Sequence, residues 1–291
     1  MPAKTQPAPP VGTPQQLEPL VQRVLAGNPS AFTLHGTQTY IVGAGADVAV
    51  IDPGPDDAGH IDAVLAAVGA RKVTAICCTH THRDHSPAAA PLAARTGARI
   101  MGCAALALES IGPRGDAPFD TGYAPDRALN DGESISGDGW TLTAVATPGH
   151  TSNHLCFALE ESGALFTGDH VMGWSTTVVI PPDGDMADYM ASMELLHGRE
   201  DRIYYPAHGA PIENTRQLVR GMIGHRRQRE RQILRTLEKG ERAIPALVET
   251  MYVGLDSRLI GAAGQSVLAH LIDLERRGMV GRDGEEWAIA G

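Results

Sequence analysis

The sequence predicts an α/β fold, with sheets layered between helices and a smaller helical unit at the C-terminal end. Three observations predict it. Four times a short apolar segment delivers a His or Asp at its end, namely His80, His150, Asp169 and His208. Stretches with helical spacing separate several of these segments, as in proteins whose helices cover sheets. Beyond about residue 212 the short segments stop and long helical periodicity takes over.

Taken in order, residues 1–16 contain Pro2, Pro7, Pro9, Pro10 and Pro14 and are expected to form a disordered lead. Phe32–Val42 and Asp47–Ile51 read as adjacent strands joined by a tight turn, and Asp52-Pro53-Gly54 ends the second. Asp52 is either an ordinary turn residue or a support for a nearby site. His60–Val68 has helical periodicity, and Val73–Cys78 is a buried strand. Ser86–Thr96 is alanine-rich and predicts a helix with Pro87 in its first turn. Arg99–Gly102 is a short strand, and the Gly-, Pro- and Asp-rich segment 110–139 is a loop with short strands bordering the site. Trp140–Ala146, Leu155–Leu159, Ala164–Phe166 and Ile203–Tyr205 are strands, with a helix over Met186–Leu196. The main body thus covers 17–215. Helices over 212–240, 244–252 and 264–277, with a hairpin over 278–289, outline a winged-helix-like unit within 216–291.

The chemistry gathers after Val73–Cys78, where His80, His82, Asp84 and His85 occupy six positions. Imidazoles and carboxylates at that density hold cations such as zinc. His80 and His82 alternate on an extended segment and can face one cavity. With His150, Asp169 and His208 the candidate metal ligands number seven, too many for one catalytic zinc with three protein ligands and a water. They suit two Zn2+ per chain: His80, His82 and His150 on the first, Asp84, His85 and His208 on the second, and Asp169 as bridge. Two divalent cations against two carboxylates leave a field that acidifies bound water and polarises a carbonyl or phosphoryl oxygen. The expected reaction is hydrolysis by a metal-bridging hydroxide. Asp84, Asp169 and His170 are the candidate catalytic residues; His170 either faces the cavity as a proton donor or packs behind Asp169. His154 is expected to support the site, and Trp174–Thr177 to wall a pocket. His35, His60, His197, His225 and His270 carry no pattern and read as ordinary surface or helix residues.

Composition bounds the partners. The chain has 43% apolar and 20% charged residues and a net charge of −10. Residues 1–215 carry 11 Lys/Arg against 24 Asp/Glu, and residues 216–291 carry 13 against 10. An acidic body with 4% aromatics is a poor trap for single-stranded nucleic acid. Arg226, Arg227, Arg229, Arg231 and Arg235 could meet phosphates, form a solvated helix face, or make a subunit contact in a homodimer. Cys77, Cys78, Cys103 and Cys156 have no zinc-knuckle spacing and read as reduced core thiols. Neither an export signal nor an 18-residue apolar run is present, so a cytoplasmic protein with no membrane contact is expected. Gly43–Asp47 lacks the strand-to-helix context of a nucleotide loop.

His80-Thr81-His82-Arg83-Asp84-His85, with His150, Asp169 and His208 following in order, resembles the metallo-beta-lactamase-fold hydrolase superfamily. The resemblance implies an alpha-beta/beta-alpha sandwich with a dimetal site at one edge of its sheets, usually holding zinc. Asp52 resembles the aspartate that supports this site. Residues 167–175 and the C-terminal unit resemble the beta-lactamase-like protein 2 group, which includes a single-strand-specific endoribonuclease; related fungal proteins are thioesterases. One departure is Ser86-Pro87-Ala88, where relatives often have two glycines. The resulting expectation is hydrolysis of a small ester, thioester, lactone or amide. The alternatives are an endoribonuclease acting on single-stranded RNA and a non-catalytic nucleic-acid-binding module.

Overall fold

Central strands buried almost continuously, and so covered on both faces, build the architecture. The computed structural model describes residues 8–106 and 119–290. The first sheet contains β1 (Gln15–Glu18), β2 (Val21–Leu25), β3 (Gln38–Val42), β4 (Asp47–Ile51), β5 (Lys72–Cys78), β6 (Arg99–Gly102) and β7 (Arg127–Ala128), ordered as in the chain. β1 to β4 form an antiparallel meander, whereas β4 to β7 run parallel. The crossovers between β4, β5 and β6 carry α1 (Ala58–Val68) and α2 (Ala89–Thr96), the helical connection that parallel neighbours require. β8 (Ser134–Gly137), β9 (Trp140–Ala146), β10 (Leu155–Leu159), β11 (Ala164–Gly168) and β12 (Ile203–Pro206) make the second sheet, ordered β12-β11-β10-β9-β8.

Alternate residues of the second sheet divide between two cores. Ala144, Leu155, Phe157, Phe166 and Tyr205 meet Val50, Ile76 and other first-sheet residues in the inter-sheet core. Their neighbours Val145, Cys156, Leu165 and Tyr204 face outward into a core with α3 (Met186–Gly198) and α4 (Thr215–Glu238). This is the sheet geometry of successive side chains pointing to opposite faces. The protein is therefore an α/β sandwich.

α4 continues into a third core, where Ile233 and Leu237 pack with α5 (Ile244–Met251), α6 (Ile260–Arg276) and the hairpin β13 (Val280–Asp283) and β14 (Glu286–Ile289). Val219, Met222 and Ile223, nearer its N-terminus, pack into the α3 core. One 24-residue helix thus joins the sandwich to a C-terminal winged-helix unit.

Several expectations need correction. The disordered lead over 1–16 fails in its described part: Val11 bridges Leu25, and β1 starts at Gln15. β3 begins at Gln38 rather than Phe32, because Ser30 accepts from the main-chain N–H groups of Phe32 and Thr33 and turns the chain. α2 begins at Ala89, since residues 82–86 turn through His85 N and Ser86 N donating to His82 O. Within 110–139, residues 110–118 lie outside those described, and β7 and β8 are the short strands. Among the described residues, no helix is long and apolar enough to cross a membrane.

Candidate metal centre

Strand ends bring the candidate ligands together. His80, His82, Asp84 and His85 follow β5, His150 follows β9, Asp169 follows β11 and His208 follows β12. Two glycines allow these approaches. Gly168 has φ +48°, and a Cβ there would lie 2.7 Å from both His154 Nε2 and Thr79 Oγ1. Gly149, at φ +133°, runs against the Tyr189 backbone, where a Cβ would come within 2.3 Å.

The seven side chains fall into two groups able to hold a metal ion: His80, His82, His150 and Asp169 in one, Asp84, His85 and His208 in the other. His82 Nδ1 is 2.9 Å from His80 Nε2 and 3.1 Å from His150 Nε2. In the second group Asp84 Oδ2 is 3.2 Å from both His85 Nε2 and His208 Nε2. Asp169 reaches both groups, with Oδ1 3.2 Å from His208 Nε2 and Oδ2 3.7 Å from His150 Nε2.

The outer imidazole nitrogens decide what the inner ones offer. His150 Nδ1 donates to Val178 O at 2.7 Å and His208 Nδ1 to Gly36 O at 3.2 Å. Thr79 Oγ1 donates to Asp52 Oδ2 and accepts from His80 Nδ1 at 2.9 Å. His85 Nδ1 donates to Asp52 Oδ2 at 3.0 Å. With those protons on the outside, the Nε2 lone pairs of His80, His85, His150 and His208 face inward. Convergent lone pairs with outer N–H groups pinned to acceptors are the arrangement that metal-ligating histidines adopt. The residues therefore fit a pair of cations.

The electrostatics follow from burial and neighbours. Burial pushes His80 well below the usual imidazole value, aided by His85 and His82. Burial and His82 bring His150 down to about 4. Burial opposes ionisation of Asp84 and Asp169, but the adjacent imidazoles outweigh it and hold both carboxyls well below the ordinary range. Conversely, burial disfavours charge on His208, but Asp169 and Asp84 raise it to about 10.

Supporting residues are now distinguishable. Asp52, buried at φ +47°, accepts from Thr79 N and Thr79 Oγ1, each at 2.8 Å, as well as His85. Of its two sequence readings, site support is the one realised. His154 bonds Thr147 Oγ1 through Nδ1 and accepts from Asp169 N through Nε2. His170 requires correction as a candidate proton donor. It is fully buried, 4.7 Å from the Tyr189 ring and 5.7 Å from that of His154, and does not line the cavity. Burial lowers it to about 3, so it is a neutral packing group behind Asp169. Thr37, which sequence reasoning did not single out, donates to Asp84 Oδ2 at 2.9 Å. Cys156 lies in the outer core, its thiol raised to about 12 by burial, and all four cysteines are free and buried.

A cavity of ≈ 310 Å³ opens over the two groups. Phe32, Pro55, Met172, Val178 and Ile180 supply apolar walls, while Asn28, Ser30 and exposed Arg83 supply polarity. Trp174–Thr177 wall an adjoining cavity instead. The Ser86 turn is fastened by Ser86 Oγ donating to Asp120 Oδ2 at 2.8 Å, and Asp120 N donates to Thr81 O.

Comparison with known proteins agrees with this geometry. The metallo-beta-lactamase superfamily model matches residues 32–208, and a beta-lactamase associated winged helix domain matches 243–287. An atrochrysone carboxyl ACP thioesterase from Aspergillus fumigatus is 38% identical over 231 residues, covering 78% of this chain and 67% of that protein. The lactamase-like protein adaB from Aspergillus niger is 31% identical over 290 residues, covering 93% of this chain and 85% of that protein. A beta-lactamase domain protein from Burkholderia ambifaria superposes with a TM-score of 0.80 at 19% identity, over 99% of this chain and 96% of that one. A metallo-beta-lactamase family protein from Thermus thermophilus gives 0.75 at 23%, over 94% and 100%. With the superfamily model matched over residues 32–208 and relatives above 30% identity covering most of both chains, the chain belongs to the metallo-beta-lactamase superfamily.

Proposed function

We propose that the protein is a dizinc thioesterase, hydrolysing an acyl thioester in the cavity above Asp169. The observation that carries this reading is the pair of ligand groups that share Asp169 at the floor of a largely apolar cavity. The thioesterase relative that matches over most of this chain supports the choice of thioester within the ester, lactone and amide range.

His80, His82 and His150 would hold one zinc, and Asp84, His85 and His208 the other, with Asp169 between them. When bound, the metal pair supplies Lewis acidity toward the acyl carbonyl and a nucleophile from water at neutral pH. The chain's own work is positioning. Asp52 keeps the His85 proton on Nδ1, and Val178 O does the same for His150. Phe32, Met172 and Ile180 exclude water from an acyl group and orient it. Hydrolysis breaks the C–S bond, leaving a carboxylate and a thiol.

The RNA alternative draws less support than the sequence offered it. Of its five helix arginines, Arg227 pairs with Glu194, while Arg226 and Arg229 turn inward to line a recess rather than an outer face. That leaves little of a basic stripe for a phosphate backbone.

Metal analysis together with thioester, lactone and single-stranded RNA panels tests the proposal. The expected result is about two zinc ions per chain and thioester turnover lost in both His82→Ala and Asp169→Ala. RNA cleavage without thioester turnover, or full activity in metal-free protein, would overturn it.

A further inference from the structure

The metal cavity is not the only recess on this face. A second one, of ≈ 300 Å³, lies between residues 174–178 and the C-terminal helices. Phe32, Met172 and Val178 line both cavities, so the two are contiguous. The polar lining of the second is unusual. Trp174, His225, Arg226 and Arg229 all line it, and each carries a buried nitrogen (Nε1, Nδ1, Nε and Nε respectively) with no hydrogen-bond partner. Indole and guanidinium N–H groups can only donate. Such groups buried and unmatched cost free energy unless an acceptor arrives.

The charge is unmatched as well. Arg226 is 4% exposed; it bonds Thr177 O and lies over the Tyr189 ring at 4.9 Å. Arg229 bonds Gln232 and Met251 O and lies 4.2 Å over the Tyr252 ring. Among the described residues, neither has a carboxylate within ion-pair distance. Burial, then Arg226 and Arg229, bring His225 down to about 4, keeping this imidazole neutral beside two fixed positive charges. Carbonyls and ring faces offset part of the burial of a guanidinium but leave its charge without a counter-ion.

We infer that this second cavity receives the phosphate group on the thiol arm of the thioester substrate, while the acyl carbon lies in the adjoining metal cavity. A phosphate supplies the negative charge and the several acceptor oxygens that this donor set lacks. The inference rests on the thioester reading for its choice of substrate arm. The donor set itself is independent of that reading.

Two measurements on the zinc-loaded full chain test it. The first compares kcat/KM for an acyl pantetheine thioester and the same thioester carrying the terminal phosphate. Wild type should prefer the phosphorylated member by roughly tenfold or more, mainly through KM, and Arg229→Gln should collapse the ratio toward one. Trp174→Phe removes the indole N–H while keeping an aromatic ring in the wall, so it should cut the ratio several-fold even if an arginine variant folds poorly. The second measures calorimetric binding of the free thiols, phosphopantetheine against pantetheine, where no turnover is needed. Tighter binding of the phosphorylated thiol, weakened in Trp174→Phe, supports the cavity assignment even if thioester hydrolysis proves wrong. Equal affinity for the two thiols, or a preference unchanged in Trp174→Phe and in folded Arg229→Gln, would overturn it. So would displacement of bound phosphopantetheine by a single-stranded oligonucleotide that is itself cleaved.

Discussion

Replacing Asp52 by Asn tests whether the site depends on a fixed proton outside the ligand ring. Asp52 accepts three hydrogen bonds, from Thr79 N, Thr79 Oγ1 and His85 Nδ1. Its φ of +47° suits Asn better than most residues, so the backbone tolerates the change. An Asn oxygen can still accept from Thr79 N, but the amide NH2 then faces His85 Nδ1. To accept from it, His85 must move its proton to Nε2, the atom that points at Asp84 and Asp169. A protonated Nε2 cannot be a metal ligand. Loss of such a support typically costs ten- to a hundredfold in metal affinity, or about 1.4–2.7 kcal/mol. Asp52→Ala differs: it takes the acceptor from Thr79 N–H, Thr79 Oγ1–H and His85 Nδ1–H alike, at about 1–3 kcal/mol of stability for each donor left unpaired. Competition with a chromophoric chelator measures zinc affinity, and urea unfolding of the metal-free protein measures stability. The expected pattern is weakened binding at one of two sites in Asn, with stability little changed, and losses of both in Ala. If Asp52→Asn binds two zinc ions as tightly as wild type, the proton-fixing argument is wrong.

Phe166 is 1% exposed and packs its ring 5.1 Å from Tyr40 and 5.5 Å from Tyr205 across the inter-sheet core, so Phe166→Ala should cost about 3–5 kcal/mol in urea unfolding. His270 is buried, both ring nitrogens lack partners, and burial with Arg226 lowers it to about 3. Because its folded value lies below its unfolded one, stability is fully present above about pH 6.5 and falls as pH drops toward about 3, by up to ~1.4 kcal/mol per pH unit. His270→Leu should flatten that part of the stability-against-pH curve relative to wild type, and an unchanged slope would refute the assignment. Thr177 Oγ1 donates to Asp169 O at 2.7 Å and His170 O at 3.0 Å. Thr177→Val should therefore cost about 1–3 kcal/mol and loosen zinc several-fold in the chelator assay.

Strand interiors and the candidate ligands that the fold brings together were legible because both are written in side-chain spacing. Val73–Cys78 is apolar or cysteine at five of its six positions and is observed within Lys72–Cys78; His80 and His82 alternate at its end. Phe32 was assigned to a strand on hydrophobicity alone, yet it sits in a turn, where it walls both cavities. His60, His225 and His270 read as ordinary because a histidine's burial depends on chain packed against it from far away. His60 is 4% exposed and bonds Thr39 Oγ1, from a strand 21 residues earlier. Gly36 O and Val178 O, which orient His208 and His150, could not be found in sequence at all, since every residue carries the same carbonyl.

The arginines of α4 show why charge counted along a chain can mislead. An excess of Lys/Arg after residue 215 suggests an outward basic face. Instead α4 turns Arg226 toward the sandwich, where its guanidinium bonds Thr177 O beside the Val178 O that orients His150. Thr177 also bonds the backbone of Asp169 and His170 through its hydroxyl. Residues 177–178 thus hold a candidate ligand on one side and the C-terminal helix on the other. The winged-helix unit is joined through α4 to the core that contains Tyr189 and Met193, and Tyr189 packs on His170 beside the candidate metal centre.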